Sequence, residues 1–279
     1  VIVTADHLSP VDLQDALSLV ASADGRIAPR LLVDQLSAGG KRSRGEARAV
    51  VRLMVDSGHL CYGYIHGVSI LELAFSHPVK ITEKVVLKPP RTGHLEMDGQ
   101  MVITLEPGAA FGGGQHPTTR LALKAMERCF DRHAEFLTGE AGIALDIGTG
   151  TGVLAIAAIR FGAHRALATE VDPCACWEAQ RNVVLNGLSD RIVVLAVPSP
   201  PRGINAVMVT ANLRLPTLVD LRSEIQKTTA PGAVLIFSGI RPGEVQRLIS
   251  AYGADAFDFL NQETEQNWSC VVFKMRSGV

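Results

Sequence analysis

The stretch from Leu145 to Ala158, LDIGTGTGVLAIAA, constrains this chain more than any other. A short apolar run meets three alternating glycines and then a second apolar run. That order reads as a buried strand, a tight turn and the start of a helix. Gly148, Gly150 and Gly152 let the backbone come close to a ligand across the strand end. The helix behind them offers free N–H groups and the positive end of its dipole to a carboxylate or phosphate. The spacing is not that of a dinucleotide fingerprint, because Val153 stands where its third glycine belongs. It is no P-loop either, since no Gly-Lys-Ser/Thr comes after it.

From about residue 117 the same alternation continues. Helices are predicted over TTRLALKAMERCF, GVLAIAAIRFG, PCACWEAQRNVVLNG, LPTLVDLRSEIQKTT and PGEVQRLISAYG. Strands are predicted over GIALDIG, RALATEVD, RIVVLAV, INAVMVTAN, AVLIFSGI, ADAFDFLN and NWSCVVFKMR. Repeated strand–helix units imply an α/β fold, a doubly wound and mostly parallel sheet with helices on both faces. The last two strands have no helix between them and are expected to run antiparallel. Only PSPPRG joins RIVVLAV to INAVMV, so that part of the sheet should be covered by loop alone.

The first part of the chain has a different order. Leu13, Leu17 and Val20 fall at helical spacing, Gly25 interrupts, and APRLLVDQL is a second helix. A third helix starts after Ser43, with Glu46 at the capping-box spacing. HLCYGYIHGVSILELAF then reads as a hairpin, with glycines at 63 and 67. Three helices and a hairpin are the order of a winged helix, so residues 1–77 are expected to form a small α+β domain of that kind. VKITEKVVLKPP and QMVITLEPG read as strands around KPPRTGHLEMDG, making residues 78–110 a β-rich bridge to a domain over 111–279.

The net charge of −1 gives no global argument for a nucleic-acid or membrane partner. Arg44, Arg48 and Arg52 do recur at four-residue spacing, with Lys41 and Arg42 before them. Asp12, Asp15, Asp24, Asp34 and Glu46 nearly cancel them. The five scattered cysteines suit a reduced, intracellular protein. Cys174 and Cys176, two apart on a helix, point to different sides, so no metal site is expected there. The start VIVTADHLSP lacks the basic head and apolar core of a signal peptide. No apolar run reaches about eighteen residues. A cytoplasmic location is the expectation.

The residues around the glycine turn narrow the ligand. Asp146 would repel a pyrophosphate and suits a ligand with cationic groups. S-adenosylmethionine is such a ligand, with an ammonium and a sulfonium. Glu170 lies 22 residues after Gly148, one strand–helix–strand unit, and ends a strand where an acid can accept ribose hydroxyls. Asn212, at the end of VTAN, would sit beside the sulfonium and orient an amine nucleophile, or cap the next helix.

Together with FGGGQHPTT at 111–119, these residues resemble the PrmA-type methyltransferases, which modify a ribosomal protein. Phe111, Gly112, Gly114, His116, Thr118 and Thr119 match that family's Phe-Gly-Thr-Gly-x-His-x-Thr-Thr segment, with Gly113 in place of threonine. The glycine turn, Glu170, VDP, NVVLNG, ANL and LIFSGI also look like the family. The resemblance covers roughly residues 100–275. It implies an S-adenosylmethionine-dependent N-methyltransferase with a protein substrate. It also implies that Phe111, Thr119, Gly148, Glu170 and Asn212 contact the cofactor, Phe111 and Thr119 from a lid segment. His116 has no Cys, His, Asp or Glu partner at ligand spacing, so a structural role at the loop–helix junction is expected.

The family's small ferredoxin-like recognition domain is not what residues 1–77 look like. Two other readings are open: a winged helix that contacts nucleic acid, as a binder or a nucleic-acid methyltransferase, and a methyltransferase-fold module without chemistry. NLRL after the fourth strand carries no aromatic ring to stack a flipped base, which favours protein over nucleic acid. The absence of an acid after RIVVLAV, where many methyltransferases hold adenine, speaks for the inactive module.

Overall fold

The computed structural model describes residues 9–23, 26–40, 42–65, 68–90, 92–93, 99–137, 142–253 and 256–277. Asp24, Gly25, Lys41, Gly67 and part of KPPRTGHLEMDG lie outside these. The chain divides into two compact units, Val1–Pro78 and Val79–Val279.

The first unit runs α1 (Pro10–Ser22), β1 (Arg26–Ile27), α2 (Pro29–Ser37), α3 (Arg44–Asp56), β2 (Leu60–Ile65) and β3 (Val68–Leu73). Ser43 opens α3 with a full capping box: its hydroxyl accepts the Glu46 N–H, and Glu46 Oε2 accepts the Ser43 N–H at 2.7 Å. The strands form an antiparallel sheet in the order β1-β3-β2. Val20, Leu32, Leu36, Val50, Met54, Leu60 and Leu71 fill the space between helices and sheet.

In the second unit, β4 (Val79–Lys80), β5 (Val85–Lys88) and β6 (Met101–Thr104) make a small sheet of their own. By its contacts this β-rich segment, the expected bridge, lies in the same compact unit as the main sheet. The chain continues α4 (Pro117–Leu137), β7 (Ile143–Ile147), α5 (Val153–Phe161), β8 (Arg165–Glu170), α6 (Pro173–Leu185), β9 (Ile192–Ala196), β10 (Ala206–Asn212), α7 (Leu215–Asp220), α8 (Arg222–Thr228), β11 (Thr229–Ile240), α9 (Val245–Gly253), β12 (Phe257–Glu265) and β13 (Trp268–Met275). The single helix expected over 215–229 breaks at Leu221 into α7 and α8, and β11 begins at Thr229 rather than at 233.

The main sheet has seven strands in the order β12-β13-β11-β10-β7-β8-β9. All neighbours are parallel except β13, which is antiparallel to both β11 and β12. Residues 197–205 hold no helix and carry the chain from the edge strand β9 past β8 and β7 to β10. Strand order therefore reverses between β7 and β10. In doubly wound folds the ligand crevice lies at that switch point, beyond the carboxyl ends of the strands. Among the described residues no helix is long and apolar enough to cross a membrane.

The β11–β13 side of the sheet has an aromatic core. Phe237 and Tyr252 meet edge to face at 4.9 Å, and Phe257 and Phe273 pack on Tyr252. The fully buried Tyr252 hydroxyl donates to the Leu218 carbonyl at 2.6 Å, joining α9 to α7. Tyr252→Phe keeps the packing and removes that bond. It is expected to destabilise the protein by about 1 kcal/mol, read from urea midpoints.

Candidate functional site

The glycine turn is bound to its neighbours on three sides. Gly148 and Thr149 both donate their N–H to the Thr169 carbonyl of β8, at 2.9 and 3.0 Å. Gly150, at φ 55°, donates its N–H to Glu170 Oε2 at 3.0 Å. A Cβ on Gly150 would overlap the carbonyl oxygen of Phe111, and the next residue, Thr151, donates its N–H to that oxygen at 2.9 Å. The two glycine-rich segments thus meet backbone to backbone. Gly148 makes room for Leu213, just past β10. Gly152 faces Ala179 of α6 and serves helix packing.

Asp146 is 1% exposed and lies within this assembly. It accepts hydroxyl bonds from Thr149 at 2.5 Å and Thr210 at 2.7 Å, and a backbone bond from Ala155. Burial raises its pKa from 3.8 to about 6, against the opposing pull of these hydrogen bonds. Its carboxyl ties the turn, the start of α5 and β10 together. Glu170 is half-buried. Oε1 accepts the N–H groups of Val171 and Asp172, at 2.7 and 3.1 Å, while Oε2 takes Gly150. Oε2 keeps one lone pair to offer a ligand hydroxyl. Val171 beside it is an apolar side chain that is 67% exposed.

One face of α6 clamps the segment that leads to Phe111. Asn186 Nδ2 donates to the Thr104 carbonyl at 2.7 Å and its Oδ1 accepts the Thr104 N–H. Asn182 Oδ1 accepts the Glu106 N–H at 2.8 Å, and its Nδ2 donates to the Thr151 carbonyl at 2.9 Å. Glu178 accepts the N–H groups of Ala109 and Ala110, both at 2.9 Å. Residues three or four apart on a helix share a face, so a single helix reads this whole segment.

At the start of α4, Asn212 Nδ2 donates to Thr118 Oγ1 at 3.1 Å. That hydroxyl lies 2.8 Å from His116 Nδ1, which also accepts the Thr118 N–H at 3.3 Å. Nδ1 accepts that backbone N–H through its ring lone pair, so the Thr118 hydroxyl, which itself accepts from Asn212, donates to His116. Nδ1 then carries no proton, and the ring proton sits on Nε2. The His116 ring is edge-on to Phe111 and to Trp268, each at 5.1 Å. Arg241 and Arg214, beyond the ends of β11 and β10, lie over Trp268 at 3.7 and 5.1 Å. Ser238 Oγ donates to the Thr118 carbonyl at 2.9 Å. The hydroxyls of Thr119 and Thr151 are buried and have no hydrogen-bond partner among the described residues.

Phe111, Gly148, Gly150, Glu170 and Asn212 therefore gather at the carboxyl edge of β7, β8 and β10. Asp146 and Gly152 stand behind that edge, inside the protein. The family model described as Ribosomal protein L11 methyltransferase (PrmA) matches residues 73–276. The chain belongs to this family. A relative named ribosomal protein L11 methyltransferase from Geobacter metallireducens is 35% identical over 197 residues, 71% of this chain and 62% of that protein. One of the same name from Citrifermentans bemidjiense is 36% identical over 200 residues, 71% of this chain and 63% of that protein. This chain thus spans less than two thirds of the length of these relatives. The crystal structure of a ribosomal protein L11 methylase from Lactobacillus delbrueckii subsp. bulgaricus superposes with a TM-score of 0.62 at 25% identity, over 72% of this chain and all of that one.

Sequence reasoning gave no role to several residues that organise this PrmA-family site. Thr118 was matched within the FGGGQHPTT segment without a role, and Ser238 and Trp268 were given none; Ser238 reaches Thr118, and Trp268 reaches His116, only in space. Glu178, Asn182 and Asn186 carried a signal, since their spacing of four on a helix marks one polar stripe facing the protein.

Asp146 gives a pH-dependent prediction. Its pKa is higher folded than unfolded, so the stability it lends is complete below its unfolded value of 3.8 and is lost as pH rises through about 6. Between about pH 4 and pH 7 the wild type should lose on the order of 3 kcal/mol relative to Asp146→Asn. Urea midpoints across that range measure the difference.

Proposed function

We propose that this chain is an S-adenosylmethionine-dependent methyltransferase that N-methylates a protein amine. A ribosomal protein is the proposed substrate, and the cytoplasm the proposed location. The names of its relatives support the reaction class and the substrate class. We further propose residues 1–77 as a winged-helix-like domain and 78–110 as the bridge to a methyltransferase domain over 111–279. The element order of the first unit supports the winged-helix reading.

The observation that carries the chemical reading is the meeting of Phe111, Gly150 and Glu170 on one turn beside two orphaned hydroxyls. The fit to the cofactor can be argued from this geometry. A cradle that a single Cβ would block, a half-exposed acid with a free lone pair, and buried hydroxyls of Thr119 and Thr151 without partners suit a nucleoside with polar edges. Phe111, Thr119, Gly148, Gly150 and Glu170 would hold it, with Asp146 and Gly152 supporting the turn. When bound, S-adenosylmethionine supplies a methyl group on a positively charged sulfur.

The protein's own part is to position and desolvate an amine. Bringing the reactants into one oriented complex is worth up to about 7–11 kcal/mol of barrier. Asn212 is the proposed orienter. Its amide N–H is engaged by Thr118, which fixes the carboxamide and leaves Oδ1 to accept an amine N–H from the substrate. His116, holding its proton on Nε2, acts by keeping Thr118 in place. A lysine or α-amine must be neutral to attack, and burial at the crevice lowers its pKa.

Isothermal titration of the purified protein should detect binding of S-adenosylhomocysteine. Its absence would overturn the reading. Thr119→Val, nearly the same shape, should weaken that binding roughly 5- to 10-fold, about one hydrogen bond, with the melting temperature unchanged. Asn212→Ala should lower kcat on the order of 100-fold, from misplacement of the nucleophile, with little change in S-adenosylhomocysteine affinity. Mass spectrometry of recombinant ribosomal protein L11 incubated with the protein and S-adenosylmethionine tests the substrate.

A further inference from the structure

A groove of about 340 Å³ opens on the first unit, between α2, α3 and β2. Arg30, Arg44, Arg48, Arg52 and Tyr62 line it, over the buried Val51. The formal charges of this unit nearly balance along the sequence, but the structure sorts them. Arg42 holds both Asp12 and Asp15, and Arg26 pairs with Glu72 at 3.2 Å. Arg44 pairs with Asp34. Glu46 is engaged by its own helix cap. Among the described residues, Arg30, Arg48 and Arg52 form no ion pair or side-chain hydrogen bond. Asp56, one turn beyond Arg52, makes no ion pair with it.

The groove is therefore left with an uncompensated cationic stripe. Arg48 and Arg52 are like charges at i,i+4, an arrangement that disfavours the helix unless an anion lies across it. They stand about 6 Å apart along the helix axis, a step suited to successive charges of a polyanion. Guanidinium groups bind phosphate oxygens in bidentate fashion and remain charged at any working pH. Tyr62, 61% exposed at the same groove, offers a flat aromatic surface, and cationic grooves with stacking rings are how proteins hold nucleic-acid strands.

We propose that this groove binds the phosphodiester backbone of a nucleic acid, with Arg30, Arg48 and Arg52 on phosphates and Tyr62 stacking on a base. The proposal is independent of the chemistry at the glycine turn.

Fluorescence anisotropy on the full chain tests it. The probes are a labelled 20-nucleotide single-stranded RNA, a DNA of the same sequence, the DNA duplex, and a labelled polyglutamate of about equal charge. At least one nucleic acid should bind, with affinity falling linearly in log[salt]. Arg48→Ala with Arg52→Ala should weaken binding at least 10-fold at 50 mM salt. It should also reduce the salt slope by about 1.4 on single strands or 1.8 on duplex. Tyr62→Ala should weaken the single strands more than the duplex. The melting temperature and the affinity for S-adenosylhomocysteine should match the wild type. Should the double variant fail to fold, Arg30→Ala on α2 carries the same test, with a slope loss about half as large. No binding of any nucleic acid at 20 mM salt overturns the proposal, as does binding that the substitutions leave unchanged. Polyglutamate binding as tightly, and losing affinity in the same variants, overturns it in favour of an acidic protein segment.

Discussion

The carbonyl oxygen of Phe111 occupies the space where a side chain of residue 150 would stand, and it is held there by the Thr151 N–H. The same residue, Gly150, gives its own N–H to Glu170. Three segments from different parts of the chain are thus fixed relative to one another by one residue without a Cβ. With a side chain at 150, the FGGGQHPTT segment would have to lift. Phe111 and His116 would move with it, and the acid at the end of β8 would lose a donor. The left-handed backbone at Gly150 adds to the same requirement, since side-chain-bearing residues seldom adopt it.

Around this contact the protein places polar groups where they are costly unless paired. Asp146 is buried as a carboxyl with three hydrogen-bond donors, and burial still raises its pKa. The arrangement makes sense as bracing: one acid joins the turn, α5 and β10, so the crevice at the switch point keeps its shape. Helix α6 does the same for the approach to Phe111 through Glu178, Asn182 and Asn186. These are rigid supports. Among the described residues, groups with spare capacity include a lone pair on Glu170, the Asn212 carboxamide oxygen, and the buried hydroxyls of Thr119 and Thr151.

Membership of the L11 methyltransferase family rests on residues 73–276, and the first 72 residues lie outside that match. The second unit therefore carries what this chain shares with its relatives. The first unit lies almost wholly outside that match: it is a helical α+β fold in which Arg42 takes Asp12 and Asp15, Arg26 takes Glu72 and Arg44 takes Asp34, while Arg30, Arg48 and Arg52 at the α2–α3 groove form no ion pair among the described residues. Net charge, which is close to zero, conceals this, because pairing depends on which side chains reach each other.

Much was legible in the sequence because it depends on local rules. The Ser43 capping box, the first helix, the strand–turn–helix at Gly148, the antiparallel final strand and the helix-free link before β10 come from spacing, caps and chain length. The convergence of Glu170 and Asn212 at one edge follows from where strands end in a doubly wound sheet, whereas Phe111 was expected beside them only from the family resemblance. The break at Leu221 was not legible, as both halves keep helical composition. Nor was the position of Asp146: the sequence marks an acid beside the turn, but whether it faces a ligand or the interior depends on Thr210, 64 residues away, presenting its hydroxyl from the next strand. The contacts of Trp268 with His116, Arg214 and Arg241 likewise arise from β13 inserting between β11 and β12. The sequence by itself determined the elements and the chemistry available to them. The tertiary structure decided which polar groups are consumed in holding the fold and which remain free to act, because hydrogen bonding and burial are settled between residues distant in the chain.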